Sequence, residues 1–190
     1  MRKANVVQGN RKQSGVTFVE LIFTVAILAV LMSISLPALG NLVQSAQARG
    51  ARGALMSSLA LARMSAVARN AQVSACPSAD HVNCTGDVWW QRGWIVFVDT
   101  NRNGRHDADE QILEVAGAQS GIAIATTAGR VYSSFRADGG SPGTNLTFTL
   151  CDKRGATKAA TLVINNGGRV RAGVPTAAQA ASTCAVLLSE

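Results

Sequence analysis

Residues 16–39 constrain this chain more than any other stretch. Almost every position there is apolar or small, and Glu20 is the only charge. A run of that length suffices to cross a bilayer as a helix, which needs about 20 residues. A carboxylate inside lipid costs roughly 2.5–3.5 kcal/mol on insertion scales, so Glu20 needs a partner or a task. An ordinary anchor that tolerates one acid near its end is the plainer alternative.

What precedes the run argues against that alternative. A short leader carries Arg2, Lys3, Arg11 and Lys12, ends in Ser14-Gly15, and puts Glu20 at the fifth position after Gly15. The leader cations hold the N-terminus in the cytoplasm. A secretory signal would instead be cut after the apolar run, at a small-x-small site. Residues 35–38 fit such a site poorly, and the run is too long for one. The arrangement resembles the class III leader of type IV pilins and type II secretion pseudopilins. That resemblance implies removal of residues 1–15 by a prepilin peptidase between Gly15 and Val16, with methylation of the new terminus. It also implies that Glu20 meets the N-terminal amine of a neighbouring subunit in a filament. Pro37 falls where such helices often carry a bending proline. Val16 departs from the usual Phe at the first mature position, which mainly needs to be apolar.

A chain of 190 residues has room for one globular domain beside an anchor. Lys and Arg outnumber Asp and Glu by 18 to 11; without the four leader cations the ratio is 14 to 11. The mature protein is therefore only mildly basic. Four cysteines, Cys76, Cys84, Cys151 and Cys184, suit disulfides in an exported domain. Three pairings are possible. Cys76 with Cys84 and Cys151 with Cys184 is the one in which each pair brackets one local segment. Zinc is disfavoured because no C-x-x-C element occurs.

From residue 41 to 70 the chain is rich in Ala, Leu, Arg, Met and Gln, all good helix formers. Leu55, Leu59, Ala62 and Ala66 recur at spacings of four, three and four, one apolar stripe suited to packing on a head. Strands are expected at residues 88–98, 112–115, 122–126, 131–135, 146–151, 161–165 and 170–174, with another starting at Val73. Gly139-Gly140, Pro142-Gly143 and Asn166-Gly167-Gly168 punctuate them. The expected fold class is α+β: a long N-terminal helix packed on an antiparallel β domain. Its divisions are leader 1–15, membrane or filament-core helix 16–39, amphipathic helix 40–70 and β-rich head 71–190.

Residues 99–110 satisfy the calcium-loop pattern D-x-[DN]-x-[DN]-G-x5-E, with Asp99, Asn101, Asn103, Asp107 and Glu110 as oxygen donors. The flanks read as strands and not helices, and Arg102 and Arg105 add positive charge. The expectation is a turn-rich hairpin loop with no metal. His81 and His106 lie in loops with no nucleophile nearby in sequence, so nothing suggests an enzyme or a cofactor.

Near the C-terminus, Gly168-Arg169-Val170-Arg171 places two guanidiniums on one strand face, spaced to meet phosphates or acids. Lys153, Arg154 and Lys158 extend the basic stretch. Charges that keep an edge strand from aggregating are the plainer reading. The leader, the W-x-x-F-V-D-x-N-x-N-G segment at 94–104 and this G-R-x-R together resemble the GspH/FimT group of minor pilins and pseudopilins. In the FimT branch the G-R-x-R implies binding of extracellular DNA in natural transformation, here by Arg169 and Arg171 with Lys153, Arg154 and Lys158 in support. The other branches imply a structural or priming subunit near a pilus tip, or a pseudopilin of type II secretion. The partners expected are other pilin subunits, the peptidase, the inner membrane before assembly, and DNA. The place expected is a single-pass inner-membrane protein with a periplasmic head, later part of an extracellular pilus.

Overall fold

The computed structural model describes residues 15–188. The leader through Ser14 lies outside them, as do the side chains of Ile34, Leu36, Pro37, Ala38 and Leu188. The chain divides into two compact units, Met1–Gly40 and Asn41–Glu190.

One helix, α1 (Phe18–Arg69), contributes to both units. It starts where Thr17 caps it: the Thr17 hydroxyl accepts the backbone N–H of Glu20 at 3.2 Å. Glu20 itself stands in the first turn, where a negative charge complements the exposed N–H groups. In the first unit the apolar side chains from Val16 to Met32 are exposed. The hydroxyls of Thr24, Ser33 and Ser35 bond back to the carbonyls of Leu21, Val30 and Leu31, so polar groups in this stretch are satisfied within the helix. Among the described residues no helix is long and apolar enough to cross a membrane.

The helix ends in a Schellman turn. Asn70 adopts φ 50°, and the Asn70 and Ala71 N–H groups donate to the Val67 and Ala66 carbonyls at 3.3 and 3.2 Å. Asn tolerates that left-handed conformation better than most residues.

In the second unit, Ala51, Leu55, Leu59, Ala62 and Ala66 form the buried stripe of α1, at the expected spacing. They meet two four-stranded antiparallel sheets. The first has the order β3 (Ile112–Ala116), β2 (Trp94–Val98), β1 (Val73–Pro77), β5 (Ser133–Phe135). The second has the order β4 (Ile122–Thr126), β6 (Leu146–Asp152), β7 (Ala160–Ile164), β8 (Val170–Gly173). Alternate residues of both sheets, among them Val73, Val96, Ile124, Phe148, Leu162 and Ile164, close on the helix stripe. Trp90 packs edge-on against Phe148 with ring centres 4.9 Å apart. Of residues 88–93, expected to be strand, only Trp89 makes a β-bridge, to Ala125; the chain turns there to bury Trp90.

The outer faces are covered differently. On the first sheet, Cys76, Ile95 and Phe97 form a small cluster with Ile112 and Tyr132, and a Cys76–Cys84 disulfide closes the adjoining loop. On the second, helix α2 (Ala177–Ala185) lies along β6 and β4 and is tied down by a Cys151–Cys184 disulfide. A capping box starts α2: the Thr176 hydroxyl accepts from the Gln179 N–H, and the Gln179 side chain accepts from the Thr176 N–H.

Candidate nucleic-acid interface

The β7–β8 hairpin carries the basic pair. Its turn is closed by the Gly168 N–H donating to the Asn165 carbonyl at 2.8 Å and by the Asn165 side chain accepting from the Arg169 N–H at 2.9 Å. Gly168 has φ 68°, a conformation natural to glycine. It also passes close to the Arg136–Gly140 turn, whose Gly139 carbonyl accepts a 3.0 Å hydrogen bond from Arg63 Nε on α1.

Register then fixes where the arginines point. Val170 pairs with Ile164 and Ala172 with Leu162, so those β8 residues share the core-facing parity. Arg169 and Arg171 take the opposite parity, with Arg171 across from Val163. Both are exposed and stand roughly 7 Å apart along the strand. β8 is the last strand of its sheet. Among the described residues the single ion pair is Arg154–Asp152, so neither arginine is neutralised by an acid.

The other three cations separate. Arg154 grips Asp152: its Nε donates to both carboxylate oxygens at 3.0 and 3.1 Å, and Nη2 donates to Oδ2 at 2.7 Å. Asp152 is 1 % exposed, and its hydrogen bonds hold the Arg154 guanidinium still more firmly protonated than usual. That charge is spent within the fold. Lys153 borders α2 near Ala181 and Cys184. Lys158 lies on the other side of the hairpin, beside Arg49 and Arg52 of α1. The structure thus keeps Arg169 and Arg171 as a pair and divides the wider basic stretch. Arg49 and Arg52 approach from α1, and their spacing of three residues on a helix, which places both on one face, is the trace they leave in the sequence.

The 99–110 loop is closed on itself. Asp99 is buried and accepts from Ser74 Oγ at 2.6 Å, Gln72 Nε2 at 3.0 Å and the Asn103 and Gly104 N–H groups. Glu110 accepts from the Thr100 N–H at 2.7 Å and the Asp107 N–H at 3.2 Å. The Asn101 and Asn103 amides both donate to Asp107 Oδ2 at 2.7 Å, which lowers the Asp107 pKa. Among the described residues no group of three or more His, Cys, Asp or Glu side chains is gathered for a metal. The Asp99 contacts also bind the loop to β1, an ordering role for a sequence that resembles a cation loop.

At the helix start, Gly15 and Val16 precede α1 without regular structure, Val16 is 73 % exposed, and Glu20 is exposed.

Comparison with known proteins agrees with this architecture. The family model described as type II transport protein GspH matches residues 51–168, and that of the prokaryotic N-terminal methylation motif matches residues 10–36. No curated protein matches the sequence at a significant level. Among solved structures, the type IV minor pilin FimU of Pseudomonas aeruginosa is similar in two crystal forms. One superposes with TM-score 0.53 and 21 % identity over 66 % of this chain and 91 % of its own. The other has TM-score 0.53 and 20 % identity over 74 % of this chain and 94 % of its own. The minor pseudopilin EpsH of Vibrio cholerae has TM-score 0.48 and 13 % identity over 68 % of this chain and 98 % of its own.

Proposed function

The chain belongs to the GspH family and is a subunit of the minor pilin and pseudopilin kind, and from that premise we propose that it is a minor type IV pilin that binds extracellular DNA for uptake. The observation that carries the DNA reading is the pair Arg169, just before edge strand β8, and Arg171 within it, both exposed and with no ion pair to an acid among the described residues. Arg is suited to bidentate phosphate contacts. Phosphate contacts of this kind ignore base sequence and weaken with salt, and no aromatic side chain alternates with the arginines on β8 to stack on bases. Lys153 is a supporting cation; Arg154 holds Asp152 and contributes less.

The N-terminal match supports the remaining steps of this reading. The prepilin inserts through residues 16–39 in the inner membrane with its head in the periplasm. The peptidase cuts between Gly15 and Val16, and the new terminus is methylated. Glu20 then meets the terminal amine of a neighbouring pilin as the filament assembles. Function is by assembly and binding, without catalysis.

A second reading, a purely structural pilus-tip subunit or a secretion pseudopilin, has one observation in its favour: Gly168 is required by its neighbours whether or not DNA is bound. The test is double-stranded DNA binding by the full chain in detergent across a salt series, beside the Arg169→Ala/Arg171→Ala variant. Salt-sensitive binding lost in the variant, with normal piliation, supports DNA capture. No binding at low salt by the unaltered chain overturns it and leaves the structural reading.

A further inference from the structure

We propose that the cleft between α1 and the start of β7 binds a terminal phosphate group, at a site separate from the β8 arginines. The cleft has a volume of about 90 Å³ and is walled by Ser45, Arg49 and Arg52 of α1, by Asp152 at the end of β6, and by Arg154 and Lys158 of the β6–β7 connection. Residues 45, 49 and 52 are four and three apart, so they rise on one helical face. Ser45 Oγ accepts from Arg49 Nη1 at 2.6 Å, which holds that guanidinium beside the opening.

The charge balance points to an anion. Four cations meet there with one acid, and that acid is already engaged by Arg154. Arg49, Arg52 and Lys158 form no ion pair among the described residues, and no acidic residue occurs in α1 after Glu20 that could reach them. Like charges held close around a recess repel, and an oxyanion entering it removes the repulsion. Three donors on three side chains match the three free oxygens of a terminal phosphate; a carboxylate would leave one cation unmet.

This cleft and the β8 arginines use opposite faces of the second sheet. Ala160 lines the cleft and shares its strand parity with core-facing Leu162 and Ile164, whereas Arg171 pairs with Val163. In sequence, the helical wall follows directly on the apolar run that ends at Leu39. That makes a lipid headgroup one source of the phosphate, beside phosphate free in solution.

The experiment is thermal unfolding of the full chain with inorganic phosphate against chloride at matched ionic strength, which removes simple screening. The expected result is an upward shift of about 2–4 °C with phosphate. It is lost in Arg49→Gln/Lys158→Ala, both exposed positions where the fold should tolerate change, and kept in Arg169→Ala/Arg171→Ala. Repeating the titration in nanodiscs separates the sources. A shift present in phosphatidylcholine and absent in phosphatidic acid supports a headgroup already filling the site; a shift in both supports free phosphate. No phosphate-specific shift, or an equal shift in Arg49→Gln/Lys158→Ala, overturns the proposal.

Discussion

A Cβ on Gly168 would lie 1.9 Å from the carbonyl oxygen of Gly139, inside any permissible contact. The glycine that opens the G-R-x-R stretch is therefore fixed by the neighbouring turn and by Arg63 behind it, while the arginines that follow it face away. The first prediction separates these roles. Gly168→Ala should destabilise the head by at least about 2 kcal/mol, combining left-handed strain with displacement of the 136–140 turn. Urea unfolding of the variant checks this. Its DNA affinity per folded molecule at low temperature should stay within a few fold of the unaltered chain.

Removing the two arginines should do the reverse. Arg169→Ala/Arg171→Ala should leave the unfolding midpoint unchanged, since both side chains are exposed. It should also reduce the slope of log affinity against log salt by about 1.8, the value for two lost phosphate contacts on duplex DNA. Fluorescence anisotropy at several salt concentrations measures that slope.

Acid should loosen the loop inside the Cys76–Cys84 bridge. The Asn83 side-chain amide, then the Asn83 and Val82 N–H groups, hold Asp80 well below the usual carboxylate range. A carboxyl with a lowered folded pKa stabilises above its unfolded value of about 4, and that stabilisation is lost as pH falls through the folded value. Thermal midpoints should be flat from about pH 7 to 5 and fall below about pH 4. Asp80→Ala should make the fall shallower; an identical curve would refute the assignment.

The second disulfide should carry much of the order of the C-terminal segment. Cys151 and Cys184 are 33 residues apart, and chain-entropy arguments give such a bridge about 3–4 kcal/mol. Cys184→Ser should lower stability by that order and raise hydrogen exchange in α2 and on the β6 face beneath it, with β1 and β2 little affected.

Much of the fold was legible because its signals are local. Leu55, Leu59, Ala62 and Ala66 announce a buried helix face by spacing alone, and the strands followed apolar runs between glycine-rich turns. Helix α2 was not legible from hydrophobicity, because Ala177–Ala185 is mostly Ala, Ser and Thr. Its capping box, Thr176 followed three residues later by Gln179, was the readable sign. Trp89 and Trp90 misled in the other direction: aromatic residues suggest strand, yet Trp90 is buried by a turn. At the basic site, alternation placed Arg169 and Arg171 on one face, but sequence proximity grouped Arg154 with them. Only the fold shows Asp152 claiming Arg154 and brings Arg49 and Arg52, about a hundred residues earlier, to Lys158. Contacts between distant segments leave no periodic trace.

The two disulfides join the first cysteine to the second and the third to the fourth, so their loops neither overlap nor interleave. Each native bond therefore links cysteines that are consecutive along the chain. Pairing in sequence order thus reaches the native pattern directly, with no crossed bond to undo.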